Sequence, residues 1–313
     1  VRVMFIVNPF ATSTTPEGRD AMVNMLGGHV EVTVEHTTHR GHAGELGASA
    51  RDGGFDAVIV NGGDGTVNEV VNGLIGRPAC WAPTTRRPPA LGVIPGGSAN
   101  VFARALGIDP DPLRATAQLI DLLEASSTRR IGLGHADDRW FLFNAGMGVD
   151  ARVVRAMEEY RRAGHRASDG LYLRATVRGF LAEAKREPAL TVTADDLEPL
   201  EDVYFAFVSN TSPWTYLGSR PIEVNPGTTF DGGLGVFAST SMNVMGNLPL
   251  ITRLLMNRSP HARHVLRADD VSDIRVVADR PVDVQMDGDY LGVRSALHFG
   301  CRSDVLDVVA PRS

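Results

Sequence analysis

The stretch Asn61-Gly62-Gly63-Asp64-Gly65-Thr66-Val67-Asn68-Glu69 combines two features suited to phosphate chemistry. Its three glycines let the backbone turn several N–H groups into one concavity, a shape that fits phosphate oxygens. Directly behind the loop, Val67, Val70, Val71 and Leu74 stand at i, i+3, i+4 and i+7, one face of a helix. That helix adds the positive end of its dipole. Hydrogen bonds to a charged acceptor contribute roughly 1.5–3 kcal/mol each, so three or four hold a triphosphate without a lysine. Lys185 is the only lysine, so the chain has none for a P-loop. Arginines are plentiful and bind phosphate through a planar fork. Asp64 among phosphates implies a cation such as Mg²⁺, or an ordered water, between like charges. The competing reading is a plain glycine turn with Asp64 near a helix start.

A second loop, Pro95-Gly96-Gly97-Ser98-Ala99-Asn100, follows the apolar run 91–94 at another strand-to-helix junction. Two such loops at one sheet edge grip a nucleotide from both sides. Ser98 contacts phosphate or caps its helix, and Asn100 positions groups around the site. Asn8-Pro9 ends the first apolar run, and Thr12 lies in the hydroxyl-rich stretch behind it, ahead of a helix starting near Pro16. Thr38, at the end of the second strand candidate, borders the same edge. The candidate nucleotide-binding residues are therefore Asn8, Pro9, Thr12, Thr38, Gly62, Gly63, Asp64, Gly65, Thr66, Asn68, Glu69, Gly96, Gly97, Ser98 and Asn100. Near the other end, the run 282–286 meets Asp287-Gly288-Asp289. Asp-Gly is a hairpin signal, and the two acids are either solvated turn residues or chemistry.

These loops need a frame. Apolar runs at 2–7, 30–35, 57–60 and 91–94, separated by helical patterns that include 113–125, predict a buried parallel sheet with helices on both sides. After about residue 127 the pattern changes. Strand-like pieces at 130–133, 140–144, 189–192, 203–209, 235–238, 274–277 and 282–286 predict a mainly antiparallel β domain. Helical stretches are expected at 149–161, 171–185 and 248–256, and an exposed loop over 77–89. A length of 313 residues suits two domains. No apolar run reaches the ~18–20 residues of a membrane span. Val1 to Phe10 does not read as a signal peptide. The only cysteines, Cys80 and Cys301, argue against a disulfide framework or a zinc site and fit a reducing cytoplasm. A net charge of −6 gives no support for nucleic-acid binding.

Taken in order, the motifs resemble the diacylglycerol kinase catalytic family, which includes bacterial lipid kinases and is similar to sphingosine and ceramide kinases. The matching pieces are Asn8-Pro9, the run 62–69, the run 95–104, Asn144-Ala145-Gly146-Met147-Gly148, Phe230-Asp231-Gly232-Gly233-Leu234 and Met286-Asp287-Gly288-Asp289. The first glycine loop alone is shared with NAD kinases and, more loosely, phosphofructokinases. The resemblance implies an α/β ATP-binding domain over 1–127, completed by a returning segment at about 297–313, and a β-sandwich lipid-substrate domain over 128–296. It places the active site in the cleft.

The resemblance further implies transfer of the γ-phosphoryl group of Mg-ATP to a lipid hydroxyl, with diacylglycerol giving phosphatidic acid as the default. Asp287 is the first choice as general base, with Asp289 as the second carboxylate and Asp64 in the catalytic set. Asp231 stands where the family holds a structural Mg²⁺, with carbonyl oxygens from Thr228 and Gly233. The chain departs from the family in having Ser98 for threonine, Val101 for aspartate, Asp289 where glutamate is frequent, and Asn8-Pro9-Phe10-Ala11-Thr12 as its first loop. A lipid substrate implies peripheral docking on the inner face of the membrane by a cytoplasmic protein. The arginine-rich 152–166 and the apolar 248–256 are the candidate docking segments. An NAD kinase-like or other small-molecule kinase, and a non-catalytic nucleotide- or lipid-binding regulator, are the alternatives. Oligomeric state, a homodimer included, is left open.

Overall fold

The computed structural model describes residues 1–82, 87–148, 151, 154–156, 187–243, 247, 250, 252–253 and 262–312. The helices expected over 149–161, 171–185 and 248–256 lie largely outside these residues, and so do both candidate docking segments. The chain forms two units. The first comprises Val1–Leu133, Asp138–Trp140 and Arg302–Ser313, and the second Gly134–Asp137 and Phe141–Cys301.

The first unit alternates strands and helices: β1 (Arg2–Val7), α1 (Pro16–Gly27), β2 (Glu31–His36), α2 (His42–Asp52), β3 (Ala57–Gly62), α3 (Asp64–Ile75), β4 (Ala90–Pro95), α4 (Val101–Ala105) and α5 (Pro112–Glu124). Two more strands follow, β5 (Thr128–Ala136) and β6 (Arg139–Phe141). The sheet is parallel in the order β2-β1-β3-β4, and the final strand of the chain adds to β4 in parallel at Val308 and Leu91. β3 is buried along its whole length and β1 and β4 nearly so, as expected for strands covered on both faces. β2, on the edge, alternates partly buried and exposed positions. Helix α3 buries Val67, Val70, Val71 and Leu74, the four residues of the apolar stripe. The chain leaves β1 toward β2 on one side and returns to β3 on the other. The carboxyl ends of β1 and β3 therefore flank a topological switch point, the place where open α/β sheets bind ligands.

The second unit is mainly antiparallel: β7 (Asn144–Met147), β8 (Leu190–Ala194), β9 (Leu200–Val203), β10 (Phe205–Ser209), β11 (Thr215–Leu217), β12 (Arg220–Ile222), β13 (Leu234–Ser239), β14 (Val265–Val271), β15 (Asp273–Met286) and β16 (Asp289–Val309). The main order is β14-β13-β10-β7-β15-β16, while β11 and β12 form a separate ribbon. The runs 274–277 and 282–286 are one long strand, β15, whose ladder with β16 shifts register between Val277 and Val282. It pairs with β8 along its first half and with β7 along its second. The run 140–144 is instead broken between β6 and β7. Side-chain alternation gives this sheet two buried faces. Ala206, Val208, Val236 and Met286 belong to the larger apolar core. Phe205, Phe207 and Phe237 turn the other way and pack against one another, and Phe207 stacks with Trp214.

Candidate functional site

The two glycine loops of the first unit are locked together. Gly62 pairs with Pro95 at the ends of β3 and β4, and the Gly96 N–H donates to the Gly62 carbonyl at 2.9 Å. A Cβ on Gly96 would stand 2.9 Å from the Gly62 Cα, and one on Gly97 would stand 2.8 Å from the Gly63 Cα. Only glycine permits this approach of backbone to backbone. Asn100, at φ 48°, closes the second loop: its Oδ1 accepts from the Gly97 N–H and its Nδ2 donates to the Gly97 carbonyl, both at 2.8 Å.

The chain after β1 joins the same edge. Asn8 Nδ2 donates to Thr66 Oγ1 at 2.9 Å, and its Oδ1 accepts from the Phe10 N–H. Thr14 Oγ1 donates to Asn61 Oδ1, and the Ser13 N–H reaches the Gly96 carbonyl. Thr15, not Thr12, caps α1 by accepting from the Gly18 N–H. Pro9 is partly exposed, whereas Thr12 and Ser98 are exposed. Thr38, also exposed, bonds to His39 and His42, whose rings stack at 4.9 Å. Gly62, Gly63, Gly65, Thr66, Gly96 and Gly97 are thus gathered at the switch point, with Asn8 and Asn100 bracing them.

Two of the nine residues in the first motif serve the frame. Asn68 is fully buried; its Nδ2 donates to the Trp140 carbonyl and its Oδ1 accepts from Arg139. Both Glu69 oxygens accept from the Gly41 N–H, which ties α3 to the start of α2. Asp64 has a role no local pattern suggests. Its carboxylate accepts from the Val101 and Phe102 N–H groups at 3.1 Å, so it caps α4 from 37 residues away. It keeps partial surface exposure, yet protein encloses it on most sides. Burial pushes its carboxyl up from 3.8 to about 6, against the lowering effect of these amides.

In the second unit the Asp-Gly signal becomes a hairpin. Asp287 and Gly288 both have positive φ, 48° and 78°, between the paired Met286 and Asp289. This is the two-residue connection that suits strand twist. Asp287 is 2% exposed. Its carboxylate accepts from Leu142, Phe143 and Asn144 N–H groups at 2.7, 3.0 and 3.2 Å, and its own N–H donates to the Asn144 carbonyl. Gln285 donates to Asn144 Oδ1 and accepts from the Gly288 N–H. Asp289 is partly exposed at the start of β16. A further buried acid, Asp283, was not singled out by any motif. It accepts from Tyr290 Oη at 2.8 Å and from Arg155 at 3.4 Å. Burial, then the Asp283 carboxylate, raises the Tyr290 phenol.

Asp231 lies in the exposed turn before Gly232-Gly233. The Thr228 carbonyl already accepts from the Ser212 N–H, and the Gly233 N–H donates to Asp270 at 2.7 Å. Asn225 Oδ1, at the start of this loop, is buried without a hydrogen-bond partner among the described residues. One carboxylate, nearby carbonyl oxygens and an orphaned amide oxygen suit a hard cation that keeps several waters. No cluster of three or more His, Cys, Asp or Glu ligands occurs among the described residues.

Comparison with known proteins finds a family model that matches the stretch carrying these loops. Residues 2–135 match the diacylglycerol kinase catalytic domain. The protein named "Probable lipid kinase YegS-like" from Chromohalobacter salexigens is 37% identical over 143 residues, 45% of this chain and 42% of that protein. The diacylglycerol kinase of Bacillus subtilis is 41% identical over 118 residues, 38% of this chain and 35% of that protein. The matched stretch thus spans less than half the length of either relative. A diacylglycerol kinase structure from Bacillus anthracis aligns with 99% of this chain and 97% of that one, at TM-score 0.71 and 20% identity. An NAD kinase from Archaeoglobus fulgidus, solved in complex with ATP, aligns with 99% of this chain and 93% of that one, at TM-score 0.53 and 12% identity. At these identities the two structures establish the fold: an N-terminal α/β domain followed by a mostly antiparallel one.

Proposed function

We propose, on the premise that residues 2–135 belong to the diacylglycerol kinase catalytic domain family, that the chain is an ATP-dependent lipid kinase, with diacylglycerol giving phosphatidic acid as the leading reaction. The observation that carries this reading is the pair of interlocked glycine loops at the switch point of a parallel sheet. Backbone N–H groups of Gly62, Gly63 and Gly65 bind the phosphates, assisted by the N-terminus of α3, while Gly96 and Gly97, whose N–H groups donate to the Gly62 carbonyl and to Asn100 Oδ1, shape the cradle beside them. Thr66 and Asn8 brace the loop, and the exposed hydroxyls of Thr12, Thr38 and Ser98 add contacts at its rim. The donors are fixed before charge develops on the transferring group, where electrostatic stabilisation is most effective.

The second unit supplies the acceptor's proton sink. As the lipid oxygen bonds to the γ-phosphorus and the bond to the departing ADP oxygen breaks, a carboxylate of the Asp287-Gly288-Asp289 hairpin takes the hydroxyl proton. Asp287 Oδ1 accepts two of the amides and Oδ2 one, so Oδ2 is the oxygen with acceptor capacity for the proton, and Asp289 is the alternative acceptor. Asp64 holds the second glycine loop through α4 and, with its raised value, is able to exchange a proton near neutral pH. The Asp231 carboxylate, with carbonyl oxygens of Thr228 and Gly233, would hold a structural Mg²⁺, and Asn225 Oδ1 lies in the same loop. The Mg²⁺ that accompanies ATP, a separate ion, would supply positive charge against the charge developing on the phosphoryl group. No helix among the described residues is long and apolar enough to cross a membrane. On the lipid-kinase reading, the acceptor would be met by docking at the inner membrane surface.

The test is labelled-ATP turnover against total lipid extract, with products identified by mass. A labelled phospholipid is expected, and Asp287→Asn and Asp64→Ala are expected to lower turnover by about 10²–10⁴-fold. Turnover of NAD or another soluble acceptor, with none of any lipid, would overturn the reading.

A further inference from the structure

A buried hydroxyl that bonds to nothing weakens a fold, and each such group calls for an explanation. Ser209, the last residue of β10, is 1% exposed, and its Oγ has no hydrogen-bond partner among the described residues. The Ser212 Oγ, in the turn that follows, is also buried and has no partner among the described residues.

The position of Ser209 is informative. It pairs across the ladder with Asn144 on one side and Gly235 on the other. Asn144 in turn accepts the Asp287 N–H. One row of the sheet therefore runs Asp287, Asn144, Ser209, and strand spacing puts the outer two backbones about 10 Å apart. Alternation places the Ser209 side chain on the face of Phe205 and Phe207, opposite Ala206 and Val208. One step back along that face, Phe207 stacks with Trp214 at 5.1 Å and lies 6.1 Å from Phe237. A polar row containing a candidate base thus borders an aromatic row, the pattern that an amphipathic alcohol presents in reverse.

We infer that the Ser209 hydroxyl is an acceptor-binding group: it donates to an oxygen that the acceptor carries beside its reacting hydroxyl, as a glycerol ester does. The ligand class is an alcohol with a neighbouring ester oxygen and an apolar chain. A plain long-chain alcohol lacks the second oxygen. The inference rests on the lipid-kinase reading and adds to it a residue that recognises the acceptor. Because Ser209 is enclosed, acceptor entry requires side chains over that face to move.

The test compares wild type, Ser209→Ala and Ser209→Cys with dioctanoylglycerol and with octanol. Losing one neutral hydrogen bond is expected to raise KM for dioctanoylglycerol about three- to tenfold, with kcat little changed. KM for octanol should not move. The thermal midpoint should stay level or rise, because the hydroxyl has no partner to lose. A lower midpoint with unchanged KM would mean that Ser209 holds an internal water, and would overturn the assignment. Binding of dioctanoylglycerol measured without ATP separates the two claims. Tighter binding by wild type than by Ser209→Ala, without phosphorylation of any lipid, defeats the kinase reading and keeps the site. Equal binding defeats the site.

Discussion

Asp64 and Asp287 each aim a carboxylate at backbone amides of a distant segment, and the two arrangements differ. Asp64 sits at the start of α3 and receives two N–H groups from α4, at 3.1 Å each. Burial outweighs those donors, so its carboxyl rises to about 6. Asp287 sits in a hairpin turn and receives three N–H groups, from Leu142, Phe143 and Asn144. Its N–H also returns to Asn144, so the turn is clasped in both directions. The same side chain therefore serves two purposes. With two donors and an enclosed setting, it is poised to exchange a proton. With three donors on a strand end, it fixes the path of the hairpin, and any part it takes in proton transfer must work against that anchorage.

The largest test of the contrast is Asp287→Ala. It strands three strand-end amides, and chemical denaturation should show a loss of about 3–5 kcal/mol. A loss below about 1 kcal/mol would show that the clasp contributes little to the fold. Asp64 predicts a pH dependence instead. Its folded value lies above the ordinary 3.8, so the folded protein binds the extra proton between 3.8 and about 6. Stability from this group is therefore full at low pH and falls as pH rises through that window, by at most about 3 kcal/mol. Denaturation midpoints of wild type and Asp64→Asn, compared from pH 4 to 7, should converge or cross, with the variant gaining relative to wild type as pH rises. Parallel profiles would remove Asp64 from the role of buried titrating acid. The smallest effect concerns the loop that Asp64 holds. Gly97→Ala forces a methyl group against the Gly63 backbone, and should destabilise by about 1–3 kcal/mol while weakening ATP binding by calorimetry. Unchanged ATP affinity would mean that the close contact of the loops does not shape the nucleotide site.

The frame of both sites was legible because its signals are local. The apolar runs of β1, β3 and β4, the stripe on α3 and the Asp287-Gly288 turn each announce themselves within a few residues. What stayed hidden joins residues far apart in sequence. The donors to Asp64 come from Val101 and Phe102, and nothing near Asp64 points to them. Asn68 looked like part of a loop that binds phosphate, yet it is buried against Trp140 and Arg139, 72 and 71 positions on. β14, Val-Leu-Arg-Ala-Asp-Asp-Val, lacks clean alternation because two adjacent acids interrupt it, and their partners, Arg267 for Asp269 and the Gly233 N–H for Asp270, are seen only in the fold. Ser209 carries no signal of its own at all; its interest arises only from the row in which the ladder sets it.

The contact between Gly62-Gly63 and Gly96-Gly97 has a consequence for how this protein can change. Where the loops meet without side chains there is little to exchange, because a Cβ on Gly62, Gly96 or Gly97 would stand less than 3.0 Å from a neighbouring atom. If these loops cradle phosphate as proposed, their centre is closed to gradual adjustment, and a shift in donor preference, by design or by drift, would be written at its rim, at the exposed Thr12 and Ser98.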